Sequence, residues 1–311
     1  MHKNTIISTA VAVASLAGTA LAGSPAKIAA TPCTPACQPA KECKLSGSLQ
    51  AGYQSNYTYR GLVASHAAVQ GDSVIPAALD LRYAVDPSLA VLGNVSYDTL
   101  LSGHKAFGEE GMNFENESNL TLAVEKKLCK YVKGLKVTGG YNLTHGGLEG
   151  FVAKHAVPRI NWEEKNTSRA HAHSVTQEFF VNAEQVIWKK FYAGVTVNYS
   201  FQGATGWWYQ PYVGYRTAIC PCSDLDVTAG WTATSSYFNS DDVIGNANGS
   251  QAWFIKAAVD AKLSDKLSVV PFVSFNWLGC GAMKANKGVP EGEKPYQNFG
   301  VVAGASLVYK F

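Results

Sequence analysis

The segment that decides the fold is the last one, Phe299–Phe311, which reads FGVVAGASLVYKF. Every second residue of this segment is apolar, and the positions between them are small or polar for the most part, such as Ser306 and Lys310. A period of two is the pattern of a β-strand whose two faces meet different surroundings. The chain is therefore predicted to end in a strand with one apolar face. The residues of that face are Phe299, Val301, Ala303, Ala305, Leu307, Tyr309 and Phe311.

The same period recurs from position 46 onward, and helical spacing of comparable length is not found. Most of the segments are longer than the usual five or six residues of a globular strand, and long enough to cross a bilayer at a tilt. Pro211 and Pro271 fall inside predicted strands, where proline removes a ladder hydrogen bond. The predicted strands are roughly 46–61, 75–85, 89–100, 115–128, 135–145, 175–187, 190–202, 206–218, 223–237, 251–263, 266–278 and 297–311.

The connections between these strands alternate between short and long, with 203–205 as the exception. Short turns on one rim and long loops on the other are typical of an outer-membrane barrel. The fold class is predicted as all-β, a transmembrane antiparallel up-and-down β-barrel of twelve strands, with ten to fourteen left open. The short connections are 86–88, 129–134, 188–189, 219–222 and 264–265; the long ones are 62–74, 101–114, 146–174, 238–250 and 279–296.

Composition indicates where the apolar face points. Only 16% of the residues are charged, against about a quarter in a soluble domain, and the apolar faces carry almost no charge. Tyr, Trp and Phe gather near both ends of those faces, as in the interfacial girdles of a membrane barrel. A soluble sandwich with one buried face would also alternate, but closure of many long strands favours contact with outer-membrane lipid. The net charge of +3 is too small to indicate a nucleic-acid partner.

The N-terminus is predicted to direct export. Residues 1–22 combine a basic start, an apolar run and Ala20-Leu21-Ala22, which indicates a signal peptide cleaved after Ala22. Residues 23–45 form a periplasmic tail that contains cysteine and proline, and the barrel occupies 46–311. Seven cysteines in an exported chain indicate disulfides. A turn disulfide is expected at Cys220-Pro221-Cys222, with Cys129 on the same rim as another partner.

Alternate positions of a barrel strand face the interior and control passage through it. The function predicted from this interior is a narrow, porin-like pore for small polar solutes or ions. The alternative is a barrel without a channel, closed by ion pairs, because twelve strands lie between filled barrels of about eight strands and open ones of about sixteen. The main candidates for lumen-lining residues are Arg60, Asp80, Arg82, Asp98, Glu117, Glu178, Arg216, Lys256 and Asp260; Glu125, Lys136, Glu184, Asp224, Asp226 and Lys262 share the same face.

An enzyme that modifies lipid on the outer wall is the third alternative. It would need a nucleophile and a base within reach of each other. The six histidines at 66, 104, 145, 155, 171 and 173 fall in predicted loops or at their edges, and none pairs recognisably with a strand serine. We therefore expect no catalytic residues, no cofactor and no metal site, and His171-x-His173 is read as part of a surface loop.

Two short motifs resemble known groups. The C-terminal Phe311 and the alternating apolar residues before it are similar to the terminal strand signature of bacterial outer-membrane proteins, which implies recognition by the barrel assembly machinery. Residues 55–61, SNYTYRG, resemble the S-x-Y-x-[FY]-R-G pattern of the TorF-like putative porins. This resemblance implies an outer-membrane barrel that transports small solutes, and it leaves the solute and the oligomeric state open.

Overall fold

A computed structural model describes residues 44–56, 58–59, 62–63, 73–100, 116–129, 131–145, 175–202, 206–235, 248–286 and 297–311. Within these residues, twelve antiparallel strands form a closed barrel, as predicted. The barrel strands are β1 (Leu45–Gln54), β4 (Val74–Asp86), β5 (Leu89–Leu100), β6 (Glu117–Lys127), β7 (Leu135–His145), β8 (Val175–Trp188), β9 (Phe191–Gln202), β10 (Gly206–Cys220), β11 (Ser223–Ser235), β12 (Gly249–Lys262), β13 (Leu267–Leu278) and β14 (Phe299–Lys310).

Three shorter elements lie on the long-loop side. β2 (Thr58–Tyr59) and β3 (Leu62–Val63) pair only with each other. A helix, α1 (Cys280–Asn286), occupies part of the predicted loop 279–296 and buries Ala282. Its seven residues are too few to show a helical period in the sequence. No helix in the described part of the chain is long and apolar enough to cross a membrane.

The first strand is shorter than predicted, since β1 ends at Gln54 and not at 61. The reason is that side chains take over part of the pairing with β14. The backbone amide of Ser55 still donates to the Ala303 carbonyl at 2.8 Å, but the return bond from the Ala303 amide goes to Ser55 Oγ at 3.0 Å, and Asn56 Nδ2 donates to the carbonyl of Val301 at 2.8 Å. Serine and asparagine compete with ladder hydrogen bonds in this way, so the regular strand stops before them.

Pro211 and Pro271, the two prolines noted inside the predicted strands, are accommodated by gaps in the ladder on one side. Pro211 is opposite Val195 of β9, but the pairing with β11 skips from Tyr209 to Tyr212. Pro271 is likewise opposite Ala305 of β14, and the register with β12 is interrupted beside it. Each proline therefore sits where one neighbouring strand makes no regular pair with it, as expected for a residue without an N–H donor.

The two faces of the barrel wall differ sharply. Outward-facing apolar residues are exposed, for example Leu122 at 56% and Val213 at 59%, whereas the alternate, inward-facing residues are largely polar and buried. Outward aromatic residues form two rows near the strand ends, as predicted. Ring pairs in the row near the long loops are Tyr199–Trp207, Trp231–Trp253 and Trp277–Phe299; those in the row near the short turns are Trp188–Phe191 and Phe191–Tyr215.

The predicted C-terminal strand closes the barrel against β1. Gly47 and Phe311 exchange two backbone hydrogen bonds of 3.1 and 3.0 Å, and the Phe311 ring covers Gly47 so closely that a Cβ there would lie 2.5 Å from Cζ. The alternating residues of the predicted assembly signal, from Phe299 to Phe311, are exposed on the outward face. Both ends of the barrel chain therefore lie on the rim of the short turns.

Candidate functional site

The structure places most of the predicted lumen-lining residues on the interior face. Asp80 is 0% exposed, and four more of these residues are buried beside it on the interior wall. Three others are half-buried on the same face. Arg60 lies outside the described residues. The buried four are Arg82, Asp98, Glu117 and Glu178, and the half-buried three are Arg216, Lys256 and Asp260.

Charged side chains join neighbouring strands in the half of the barrel near the short turns. Arg82 Nη2 of β4 lies 3.1 Å from Glu125 Oε1 of β6, and Lys136 Nζ of β7 lies 3.6 Å from Glu125 Oε2. Lys136 is also directly opposite Glu184 of β8 in the register. One carboxylate thus links two cations, and the chain of charges extends across five strands. Arg82 reaches Glu125 across β5, where the intervening residue is the small Ala90 opposite Glu125.

The chain of polar contacts continues through two tyrosines. Tyr212 of β10 donates its hydroxyl to Glu184 Oε2 at 3.1 Å. Tyr192 of β9 donates to Asp226 Oδ1 at 2.7 Å, while Arg216 donates to Asp226 Oδ2 from Nη2 at 2.7 Å and from Nε at 2.9 Å. The Arg216 guanidinium also lies 4.8 Å from the centre of the Tyr192 ring.

Two further ion pairs complete what we call the charged belt. Lys262 Nζ of β12 is 2.8 Å from Asp224 Oδ2, and Lys310 Nζ of β14 is 3.4 Å from Asp260 Oδ2. The belt contains five cations and five anions, so its net charge is zero when all groups are ionised. Its members are Arg82, Glu125, Lys136, Glu184, Arg216, Asp224, Asp226, Asp260, Lys262 and Lys310.

Two aromatic rings beside the belt lie close over glycines of the neighbouring strand. Tyr192 is opposite Gly214 and Tyr212 is opposite Gly194 in the β9–β10 register. A Cβ at Gly214 would lie 2.1 Å from Tyr192 Cζ, and one at Gly194 would lie 2.5 Å from Tyr212 Cζ. These tyrosines were not among the residues predicted to line the lumen. The spacing Tyr-x-Gly at 192–194 and again at 212–214 is the signal that could have revealed them.

Polar side chains continue toward the long loops. Asp80 accepts hydrogen bonds from Ser48 Oγ at 3.1 Å and from Asn94 Nδ2 at 2.7 Å. Asn142 Oδ1 accepts from Thr121 Oγ1 at 2.8 Å, and its amide nitrogen donates to Thr144 Oγ1 at 3.1 Å. The interior is thus polar on both sides of the Tyr192 and Tyr212 rings.

Several buried polar atoms of this interior have no hydrogen-bond partner within the described part of the chain. Leaving such an atom buried and dry costs about 1–3 kcal/mol. Because there are several of them in one interior, we expect water to reach them, since buried water commonly satisfies such groups. They include Arg82 Nη1, Asn94 Oδ1, Ser96 Oγ, Asp98 Oδ1, Asn182 Oδ1, Gln210 Nε2 and Arg216 Nη1.

One histidine lies opposite a strand serine. The register places His145 of β7 directly opposite Ser118 of β6 on the outward face. Directly opposed residues are close enough to interact, but a place in the ladder does not by itself supply the hydrogen-bonded contact that a nucleophile and its base need. The histidines at 66, 104, 155, 171 and 173 lie outside the described residues.

The cysteines differ in part from the prediction. Cys129 is disulfide-bonded, whereas Cys220, Cys222 and Cys280 are free thiols. The predicted link between Cys129 and the 220–222 turn is therefore wrong, and so is a closed disulfide within that turn. In the described ranges, no group of three or more His, Cys, Asp or Glu residues is arranged to hold a metal ion.

Comparison with known proteins returns solved barrels of the outer membrane. The KdgM porin is 7% identical, with 86% of this chain and 99% of that chain covered at a TM-score of 0.42. The NanC porin is 10% identical, with 85% and 100% covered at 0.45. The COG4313 outer membrane channel from Pseudomonas putida F1 is 10% identical, with 86% and 95% covered at 0.45.

No family model and no curated protein sequence matches the chain.

Proposed function

We propose that the protein is an outer-membrane channel of narrow bore that passes small polar solutes or ions. The observation that carries this proposal is a closed barrel whose interior is lined by a charged belt and by polar atoms that require water. The proposal includes export by the signal peptide, cleavage after Ala22, and assembly through the C-terminal strand. The resemblance of residues 55–61 to the TorF-like putative porins supports it.

The outer surface supports placement in a membrane. A band of exposed apolar side chains lies between two rows of aromatic residues on the outer surface. Such a band would be unfavourable in water but matches a lipid-facing surface between two interfaces. Closure leaves no unpaired strand edge, which the hydrocarbon region demands. Within bacterial barrels of this kind, the short turns face the periplasm.

The charged belt sets the expected selectivity. Its five cations and five anions balance, so the belt itself should discriminate weakly between small cations and anions. The other charges of the interior face are mostly negative and should add a preference for cations: Asp80, Asp98, Glu117 and Glu178 against Lys256. Tyr192 and Tyr212 narrow the passage next to the belt, which favours small solutes over large ones. Removing one charge from the belt unbalances it and should shift selectivity toward ions of the same sign as the charge removed.

The test is conductance of the full mature chain, refolded and inserted in a planar bilayer. We expect small, discrete steps. Glu125→Gln removes the carboxylate that links Arg82 and Lys136, so the reversal potential in a salt gradient should shift toward anions. Lys126→Gln, on the next residue but facing outward, is the matched control and should leave the reversal potential unchanged. Folded protein without conductance steps, or equal shifts in both variants, would contradict the proposal.

A closed structural barrel is the second candidate, favoured by one observation. Glu125, Glu184 and Asp226 of the belt are all under a tenth exposed, as in an interior sealed by ion pairs. This candidate predicts that folded protein in vesicles leaves them impermeable even to the smallest sugars and amino acids. Swelling of the vesicles in an isotonic solution of such a solute would exclude it.

A further inference from the structure

The short turn between β10 and β11 holds two thiols in contact. Cys220 ends β10, Pro221 follows, and Cys222 directly precedes β11. The two sulfur atoms lie 2.8 Å apart, both are free, and Cys222 is exposed on the short-turn rim. This separation is less than the van der Waals contact of two sulfurs but greater than the disulfide bond length of about 2.05 Å.

The main chain holds the two cysteines in one tight turn. Pro221 restricts its own φ to about −65°, and the register of β10 with β11 shifts between Ala218 and Cys220 to form the turn. The amide of Lys262 on β12 donates to the Cys222 carbonyl at 2.8 Å, which anchors the turn to the next strand. Because these constraints do not involve the sulfur atoms, the backbone keeps the two cysteines close enough to react whether or not they are bonded.

We propose that Cys220 and Cys222 form a redox-active dithiol that exchanges with disulfides at the short-turn rim. The partner class is a small-molecule or protein disulfide that can reach an exposed turn. The thiolate of one cysteine attacks a partner sulfur, forms a mixed disulfide and releases one partner thiolate. The second cysteine, as its thiolate, then attacks the protein-side sulfur and releases the other.

The exchange balances without any further reactant. The protein loses two electrons and two protons as its S–S bond forms, and the partner disulfide gains them to become two thiols. A disulfide closed over one intervening residue and open to solvent belongs to the labile, exchangeable class. Reduction by two thiols reverses the reaction by the same route. Placement of the turn in the periplasm rests on the proposed function, but the chemistry of the pair does not.

The experiment uses the full mature chain, folded in detergent micelles and carrying Cys280→Ser to remove the other free thiol of the described region. The protein is equilibrated with mixtures of reduced and oxidised glutathione, quenched with acid and alkylated. Mass spectrometry of the peptide that contains both cysteines then reports its state. Cys220→Ser and Cys222→Ser in the same background are the matched controls.

We expect the intact pair to lose two hydrogen atoms without retaining glutathione, whereas each single-cysteine control gains one glutathionyl group. Half-oxidation of the pair should need at least about tenfold less oxidised glutathione than half-modification of either control, because the second step is intramolecular. Glutathione on both sulfurs of the intact pair, or equal requirements for pair and controls, overturns the proposal. A protein that conducts but has an inert pair refutes only this inference, and a non-conducting protein whose pair closes refutes only the channel.

Discussion

Replacing Arg216 with methionine removes one partner of a buried ion pair and keeps most of the side-chain volume. Asp226 would lose both guanidinium hydrogen bonds to Oδ2 and keep only the Tyr192 hydroxyl, at 2.7 Å, and the Thr228 hydroxyl, at 3.2 Å, on Oδ1. Leaving one buried charge unpaired typically costs about 3–5 kcal/mol. The Arg216 side chain is 20% exposed, so water partly replaces it, and we expect about 3 kcal/mol of lost unfolding free energy.

The assay is equilibrium unfolding by guanidinium chloride in lipid vesicles, followed by tryptophan fluorescence. The double variant Arg216→Met/Asp226→Asn should recover part of the loss, with a coupling energy of about 2 kcal/mol. Lys190→Met is the control: Lys190 is an exposed residue that donates to Thr217 at the same rim, and its loss should change stability by no more than about 0.5 kcal/mol. A loss below about 1 kcal/mol for Arg216→Met, or strict additivity in the double variant, would refute the belt as a set of buried, coupled charges.

Three further substitutions test the wall. Gly214→Ala places a Cβ 2.1 Å from Tyr192 Cζ and should cost about 1–3 kcal/mol of unfolding free energy in the same assay. Gly93→Ala, which has open space around its Cβ, is the control and should leave the stability unchanged. Equal effects of the two substitutions would contradict the packing of the ring over Gly214. Leu122→Arg puts a cation in the outward apolar band and should cost about 2–4 kcal/mol in vesicles if this residue lies near the bilayer midplane, and no loss would show that it does not face lipid. Tyr212→Phe removes the hydroxyl donated to Glu184 and should cost about 1.5 kcal/mol, and unchanged stability would mean that this hydrogen bond is not formed in the barrel.

Much of the fold follows from the period of two. The apolar or polar character of a residue indicates which face of its strand it occupies, and this holds whatever the rest of the chain does. β5 and β7 begin and end at the predicted residues. The prediction failed where side chains take over part of the pairing, as at Ser55 and Asn56, because alternation in the sequence continues past the last regular pair of the ladder.

The sequence predicts which charged residues of the candidate site lie on the interior face, but it does not predict which of them contact each other. Alternation places Arg82 and Glu125 in the interior, but their contact depends on the stagger of β4 relative to β6 and on the small Ala90 between them. A periodic pattern contains no information on stagger between strands. The proximity of Cys220 and Cys222 follows from the sequence alone, whereas their state as free thiols does not.

The pairing of β1 with β14 has a consequence for how the chain folds. Every other strand pairing of the closed barrel joins barrel strands that follow one another along the chain, but the hydrogen bond from Gln50 to Ser306 joins residues 256 apart. Each doubling of the length of a closed loop costs about 0.6 kcal/mol of entropy, so closing this pairing costs roughly four such increments more than closing a hairpin with a loop of about 16 residues. We expect it to form last, after the hairpins. Until then, two long strand edges stay open to other chains, and a factor that holds these edges apart from other chains would raise the yield of folded protein.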